Sequence, residues 1–404
     1  MSRAVSTARP GRWGTPLTPG GPTLRQLAVS AYAPMLLWSV ALAGTLPVLP
    51  LIAMRLGATT GQAALVVSMQ GVAAMAVGIP AGMLTERIGE RRAMTAAGLL
   101  SAVAMGLVLT TTSVPLLSVA VVLLGISTSV FMLARQSYLT SAFPRRQLAR
   151  AMSTLGGMSR IGFFAGPLLG ALAIWLWGVR GPVVVSLVLL LVLSATTVGL
   201  PRLPGESAAR TTRPPAMRGI IAQHWRSFAT LGVGVVLCAA ARGSRTVIMP
   251  LWGAHIGVDA EVISLIVGLA GLLETLTFYP AGVLMDRVSR RANAIPSMAI
   301  LGAGIAMVPL SGSALTLALA AVVIGFGNGL GSGLVMTLSG DVAPERGRTS
   351  FLAVMRSLAE GGAASGPLVI SGVTAVAGLG VAAVVAACFG FGASAAFARW
   401  VPGE

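Results

Sequence analysis

Long apolar stretches, separated by short polar, glycine- or proline-containing connections, fill most of the chain. A helix needs about 20 mainly apolar residues to cross a bilayer. Two sets of six such stretches occur, near residues 27–54, 61–84, 93–112, 115–141, 148–177 and 181–200, and near 227–254, 261–284, 293–310, 314–340, 349–376 and 379–398. The pattern predicts an all-α polytopic membrane protein with twelve transmembrane helices, here called spans 1 to 12.

The polar segments divide the chain into four regions. Residues 1–24 are rich in proline, glycine, threonine and arginine, which predicts a disordered basic tail. Residues 25–200 and 225–400 are predicted to form two six-helix bundles, joined by a cytoplasmic linker over residues 201–224. The end of that linker, residues 218–226, is expected to lie at the membrane surface.

A single offset of 200 residues relates the two halves of the sequence. The offset maps Pro80-Ala81-Gly82 onto residues 280–282 and Glu86-Arg87 onto Asp286-Arg287. It also maps Gly125, Pro144, Arg146, Gly162, Gly166 and Pro167 onto Gly325, Pro344, Arg346, Gly362, Gly366 and Pro367. Because chance rarely gives one shared offset over a whole half, we predict two pseudo-symmetric six-helix bundles related by an axis along the membrane normal.

The composition excludes several classes of protein. With 55% hydrophobic and only 10% charged residues, the chain is unlike an ordinary soluble domain. All 28 basic residues are arginine, so the chain has neither the lysine of a phosphate-binding P-loop nor one for a Schiff base. Because the chain is so apolar, its net charge of +17 is expected to face anionic lipid and not nucleic acid.

The positions of the arginines predict the orientation. One side of the membrane holds 21 arginines, in the tail, the linker, the C-terminal end and the connections 2–3, 4–5, 8–9 and 10–11, whereas the other side holds only Arg55 and Arg180. Cytoplasmic connections carry an excess of arginine and lysine. We therefore expect a multi-pass protein of the plasma (inner) membrane with both termini in the cytoplasm.

Candidate residues for metal binding or catalysis are scattered. The two cysteines, Cys238 and Cys388, lie in apolar runs, and the two histidines, His224 and His255, are isolated. A polytopic enzyme needs clustered acid–base or metal-ligating side chains, and the sequence shows no such cluster. No metal and no cofactor are expected, and an enzyme or a non-transporting sensor is the alternative of another class.

The connection between spans 2 and 3 carries a distinctive signature, Gly82-Met-Leu-Thr-Glu86-Arg87-Ile-Gly89-Glu-Arg91-Arg92. It resembles the loop signature of the major facilitator superfamily, with glutamate in place of aspartate, and Asp286 and Arg287 belong to its degenerate second copy. By this resemblance the signature is a gating motif that latches the two halves on the cytoplasmic side, with its glycines in tight turns and Glu86 near the start of span 11. A simple positive-inside anchor is the alternative.

A second motif occupies span 5, where Gly162, Gly166 and Gly170 recur on one helix face beside Pro167. It is similar to the motif of the drug/proton antiporters of the same superfamily, and Gly366 and Pro367 repeat part of it in span 11. Small residues at this spacing let two helices pack closely. Simple helix packing and a role in preventing leak are both open.

Seven ionisable residues fall within the predicted spans: Arg135, Arg160, Arg242, Arg245, Glu274, Arg356 and Glu360. An unpaired charge in the bilayer costs about 3 kcal/mol or more, so each is expected to face protein or a water-filled cavity. The resemblance implies that spans 1, 4, 7 and 10 line a cavity, that span 5 meets span 8, and that span 2 meets span 11. We therefore expect Arg160 to pair with Glu274 across the halves, and Glu360 to pair with Arg356 or with an arginine of span 7.

Two functional expectations follow for these charges. The segment Arg242-Gly-Ser-Arg245 is expected to interrupt span 7 beside a cavity. A buried carboxyl group binds a proton more readily when it loses a cationic partner, so Glu274 or Glu360 could carry a proton as the halves move. A fixed structural ion pair is the alternative.

The excess of five arginines over two glutamates within the spans favours an anionic substrate held by Arg242, Arg245 or Arg135. Trp38, Phe131, Phe326 and Asn328, with Met132 and Met336, are further candidates for the cavity wall. Together, the resemblance and the charges predict a monomeric secondary transporter that moves a small molecule by alternating access, driven by protons. Efflux of drugs or amphipathic metabolites is the first expectation, and uptake or exchange of an anionic metabolite is the alternative.

Overall fold

The computed structural model describes residues 24–142, 145–199, 217–287, 289–345 and 347–401. Within those ranges all regular secondary structure is helical. The predictions of a disordered tail over residues 1–23 and of the linker over residues 201–216 lie outside the described residues.

The N-terminal half, residues 24–199, contains spans 1 to 6. Span 1 consists of the helices Leu24–Thr45 and Val48–Arg55, and it is interrupted at Pro47, which has no backbone N–H to donate. Spans 2 to 6 are the helices Thr60–Ile88, Glu90–Thr110, Val114–Ala142, Arg145–Trp177 and Gly181–Val198.

The C-terminal half, residues 217–401, begins with the short helices Met217–Gln223 and Trp225–Ala229 and then contains spans 7 to 12. Spans 7 to 9 are the helices Leu231–His255, Ala260–Arg287 and Arg290–Met307, the last followed by a 3-10 turn at Val308–Leu310. Span 10 consists of Ala314–Leu330 and Leu334–Val342, and spans 11 and 12 are Arg348–Ala377 and Leu379–Trp400.

By length and apolarity, 11 segments of the described chain can cross a membrane. The last of them, Ser350–Trp400, covers two helices that are separated at Gly378, whose φ of +86° ends span 11. The structure therefore agrees with the twelve spans predicted from the sequence.

The 200-residue repeat is visible in the backbone. Gly57 and Gly257 both have a left-handed φ, +90° and +77°, and so do Gly178 and Gly378, at +70° and +86°. The repeat fails at Gly89, whose φ is +84°, because its counterpart Ser289 has an extended φ of −173°. Ser289 instead accepts a hydrogen bond from the N–H of Ala292 and so caps span 9 with its side chain.

The expected interruption of span 7 is wrong. Span 7 is one continuous helix through Arg242 and Arg245, since arginine is a good helix former and both side chains find partners on other helices. The interruption occurs instead in span 10, at residues 331–333, where Gly333 has a left-handed φ of +79°. Two glycines within three residues supply the flexibility that this break requires.

The helices pack in the same way in each half. Span 1 packs against spans 5 and 6, span 4 against spans 2 and 3, and span 3 against span 6, and the corresponding pairs recur among spans 7 to 12. The two halves meet where span 2 packs against span 11 and span 5 against span 8. The second helix of span 1 also contacts spans 7 and 8. These are the inter-half contacts that the resemblance implied.

Glycines bring span 5 unusually close to span 1. A Cβ at Gly166 would lie 2.7 Å from the carbonyl oxygen of Val40 and 2.8 Å from the backbone nitrogen of Gly44. Gly162 and Gly170 approach span 1 in the same way, and Gly366 approaches Ala240 of span 7 at the equivalent place in the C-terminal half. The motif glycines therefore form a seam along which two backbones touch.

Replacement of Gly166 by alanine is expected to force spans 1 and 5 apart. The loss of close packing should lower the free energy of unfolding by about 1–3 kcal/mol, which a lower midpoint of thermal unfolding of the purified protein would report. Gly157→Ala in the same helix is the matched control, because no atom lies within 4 Å of a Cβ at Gly157. Equal midpoints for the two variants would contradict the claim that close packing at Gly166 contributes to stability.

Candidate substrate and coupling site

The charged residues within the spans gather in two clusters. The first, here called the central cluster, consists of Arg160, Arg242, Arg245, Glu274 and Asn328. The second, here called the 4–11 cluster, joins span 4 to span 11 and consists of Arg135, Gln136, Arg356 and Glu360. Spans 5 and 11 begin on the same side of the membrane, and Arg356 lies nearer the start of its span than Arg160 does. The 4–11 cluster is therefore closer to that side.

Glu274 connects the two halves in the central cluster. Arg160 of span 5 donates a hydrogen bond to Glu274 Oε1 over 3.1 Å, and this is the inter-half pair expected from the sequence. Arg245 of span 7 donates to Glu274 Oε2 over 2.8 Å. One carboxylate is thus held by a cation from each half, and Asn328 of span 10 lies close to it.

The central cluster is partly accessible. The side chains of Arg160, Arg245 and Glu274 keep 20%, 19% and 19% of their surface exposed. Charged groups that faced lipid would be strongly disfavoured, so their exposed atoms face the space between the two halves. The guanidinium of Arg160 also lies 4.1 Å from the ring centroid of Phe278, a cation–π contact that helps to fix its position.

Arg242 has a backbone partner in this structure. Its Nη2 donates a hydrogen bond to the carbonyl oxygen of Gly331 over 2.6 Å, and Asn293 donates to the carbonyl oxygen of Leu330 over 2.8 Å. Both carbonyls lie where span 10 is broken. Backbone that leaves the helix at membrane depth must find partners within the protein, and span 7 and span 9 supply them.

The 4–11 cluster also crosses between the halves. Arg356 Nη1 donates to Oε1 of Gln136 in span 4 over 2.6 Å, and Arg356 Nε donates to Oε1 of Glu360, one turn further along span 11, over 2.8 Å. Of the two partners considered for Glu360, Arg356 is the one observed. The side chains of Arg356 and Glu360 are 48% and 51% exposed, so water and solutes can reach them.

Arg135 is held next to the aromatic pair of the N-terminal half. Its Nη1 donates to the sulfur of Met35 in span 1. Trp38 and Phe131 stack with ring centroids 4.0 Å apart, and both are fully buried. Trp38 is one turn from Met35, and Phe131 is one turn from Arg135, so the stacked rings fix the two helices that carry the Arg135 contact.

The structure does not bring Phe326 to either cluster. Phe326 is 40% exposed and lies two residues before Asn328, so it projects from the opposite side of span 10. Met336, in the second helix of span 10, is largely exposed, and Met132 of span 4 is half-buried.

The loop signature differs in detail from the expectation. Gly89 makes the turn between spans 2 and 3, but Gly82 lies inside the helix of span 2, with no atom within 4 Å of a Cβ there. Within the described part of the chain, Glu86 forms no hydrogen bond or ion pair, with span 11 or with any other helix. Arg87 and Arg92 are exposed, and Arg91 is half-buried. The side chains of Asp286 and Arg287 lie outside the described residues.

Two repeated six-helix bundles, with paired charges between them, define a polytopic transporter fold. The sequence matches the family model described as Major Facilitator Superfamily over residues 35–241 and 231–404, and the chain belongs to that family. It is a multi-pass membrane transporter and not an enzyme, in a family whose members need no cofactor. No curated protein sequence matches the chain.

Solved structures with the same fold cover nearly the whole chain. A point mutant of the nucleoside transporter NupG superposes with a TM-score of 0.76 at 13% identity, covering 93% of this chain and 100% of NupG. A D-xylose-proton symporter superposes with a TM-score of 0.71 at 15% identity, covering 94% of this chain and 98% of the symporter. NupG without that mutation gives a TM-score of 0.71 at 14% identity, covering 94% and 99%. At such identities the likeness shows the fold alone.

Replacement of Arg242 by glutamine is expected to loosen the break in span 10. Without the guanidinium on Gly331, the backbone amides of residues 333–338 should exchange hydrogen for deuterium faster, by about tenfold for a loss of about 1.4 kcal/mol. Arg245→Gln is the matched control, because its partner is the Glu274 side chain and not span 10. Identical exchange in this segment for both variants would rule out that Arg242 stabilises the break in span 10.

Proposed function

We propose that the chain is a proton-coupled secondary transporter of a small molecule, which works by alternating access and in which Glu274 carries the proton. The observation that supports this most directly is the position of Glu274 between Arg160 of the N-terminal half and Arg245 of the C-terminal half. The D-xylose-proton symporter, with which the chain shares its fold, is coupled to protons by its description.

The proposed coupling follows from which partners move together. Arg245 and Glu274 belong to the same half, so they stay together when the halves tilt, whereas Arg160 belongs to the other half and can leave. A carboxylate with one cationic neighbour binds a proton more readily than one with two. Glu274 would therefore take up a proton as Arg160 departs and release it as Arg160 returns.

Glu360 fits this role less well than Glu274. Its arginine partner lies one turn away on the same helix, so their distance does not depend on how the halves are arranged. The contact between halves in that cluster is instead the hydrogen bond from Arg356 to Gln136.

The charge balance favours an anionic substrate, because the spans contain five arginines and only two glutamates. Efflux of amphipathic compounds is the second candidate, favoured by the similarity of the Gly162–Gly170 seam to the motif of drug/proton antiporters. In both cases we place the protein as a monomer in the plasma (inner) membrane with cytoplasmic termini. The loop arginines Arg87, Arg91 and Arg92 would then contact lipid phosphate, and the motif that contains Glu86 would latch the halves when their cytoplasmic ends approach.

Replacement of Glu274 by glutamine is expected to uncouple transport from the proton gradient. Purified protein is reconstituted into liposomes, and accumulation of labelled p-aminohippurate, a poorly permeant carboxylate that carries an aromatic ring, is measured with a pH gradient of either polarity. Glu274→Gln should abolish gradient-driven accumulation and retain exchange without a gradient, because its neutral side chain cannot change charge. The polarity that drives the wild type also gives the direction of coupling.

Glu261→Gln is the control, since Glu261 lies in the first turn of the same span, far from the central cluster. It should accumulate the probe as the wild type does. Undiminished gradient dependence in Glu274→Gln would refute the proposed role. Loss of gradient dependence in Glu360→Gln alone would show that Glu360 of the 4–11 cluster carries the proton.

A further inference from the structure

We propose that the 4–11 cluster is the subsite for the anionic group of the substrate, and that this group is the carboxylate of a small amphipathic molecule. The inference rests on the proposed transport function and gives it a substrate class. Arg135 of span 4 and Arg356 of span 11 would hold the two carboxylate oxygens, with the side-chain amide of Gln136 as a further donor.

Among the described residues, no carboxylate forms an ion pair or a hydrogen bond with Arg135. Its Nη1 donates to the sulfur of Met35, and a thioether is a weak acceptor. Its Nε is buried and has no hydrogen-bond partner within the described part of the chain. A guanidinium with unused donors in a membrane-embedded position is costly unless an anion balances its charge, so the position favours an anionic ligand.

A second arginine adds to the positive charge of the cluster. Arg356 acts on Arg135 as a neighbouring like charge. Glu360 neutralises one of these two arginines through Arg356 Nε, which leaves a net charge of +1 in the cluster. A ligand carboxylate would restore neutrality and reduce the repulsion between the two guanidinium groups.

The cluster also contains donors of the type that binds a carboxylate. Gln136 uses its Oε1 to accept from Arg356, so its Nε2 remains available as a donor. Arginine donates through a planar fork that matches a carboxylate. Arg356 and Glu360 are about half exposed, so packed side chains do not enclose this part of the cluster.

The subsite is built from both halves, because Gln136 and Arg135 lie in span 4 and Arg356 lies in span 11. A bound carboxylate would therefore link the halves near the side on which span 11 begins. The stacked rings of Trp38 and Phe131 are buried and are therefore not contacts for the ligand.

Binding of matched probes in detergent micelles, without any proton gradient, tests the subsite. The probes are p-aminohippurate, its uncharged amide, and chloride and inorganic phosphate at equal ionic strength. The carboxylate should raise the midpoint of thermal unfolding by about 2–4 °C at saturation, and the amide should not. A shift of the same size with chloride or phosphate would show an inorganic anion site and overturn the proposal.

Arg135→Gln and Arg356→Gln should each weaken the apparent affinity for p-aminohippurate by about 10- to 100-fold, since each removes a charge-assisted hydrogen bond. Arg55→Gln, which removes an exposed arginine at the end of span 1, should leave the affinity unchanged. If a glutamine variant does not fold, Arg135→Lys decides the matter. Lysine keeps the charge but not the fork, so it should bind the carboxylate more weakly yet still prefer it to the amide.

Three results would overturn the subsite: equal stabilisation by the amide, a wild type that the carboxylate does not stabilise, and unchanged affinity in both Arg135→Gln and Arg356→Gln. Failure here is distinguishable from failure of the coupling role of Glu274. The binding assay needs no gradient, and Glu274→Gln should bind p-aminohippurate as the wild type does.

Discussion

A single carboxylate held by two arginines from different halves is the interaction on which the centre of this protein depends. Glu274 lies in a region of low dielectric, where ion pairs are strong but separate charges are very costly. The contact of span 5 with span 8 therefore contains both an apolar packing surface and a charge pair that opposes separation. Any movement of one half against the other must supply a replacement for the lost partner, whether a proton, water or a substrate group.

The fold follows from the sequence almost completely. Twelve apolar stretches and one repeated offset determine the number of helices and their division into two bundles, because a bilayer leaves few alternatives to a helix. The main difference is the position of the helix break. The charges of Arg242 and Arg245 predicted it in span 7, whereas it occurs in span 10. Gly331 and Gly333 were the relevant signal, but glycine is so common in this chain that a pair of glycines carries little information.

The site could be predicted only in part. The Arg160–Glu274 pair followed from helix adjacency, which the resemblance supplied, and from similar depth in the membrane. The second partner of Glu274, Arg245, and the hydrogen bond from Arg356 to Gln136 depend on side-chain rotamers and on the rotation of each helix about its axis. Neither quantity can be derived from a period of 3.6 residues to better than about one position, so Phe326 was grouped with Asn328 although the two point in opposite directions.

The backbone repeats, but most of the charged residues within the spans do not, so a symmetric scaffold carries an asymmetric distribution of charge. The 200-residue counterparts of Arg242, Arg245 and Glu274 are Leu42, Thr45 and Ala74, none of which is charged.

Every basic residue within the spans is an arginine, and none is a lysine. A guanidinium keeps its proton under all physiological conditions, whereas a buried lysine can lose it. The positive potential in the membrane interior is therefore permanent, and of the seven charged residues there only two carboxylates can respond to acidity.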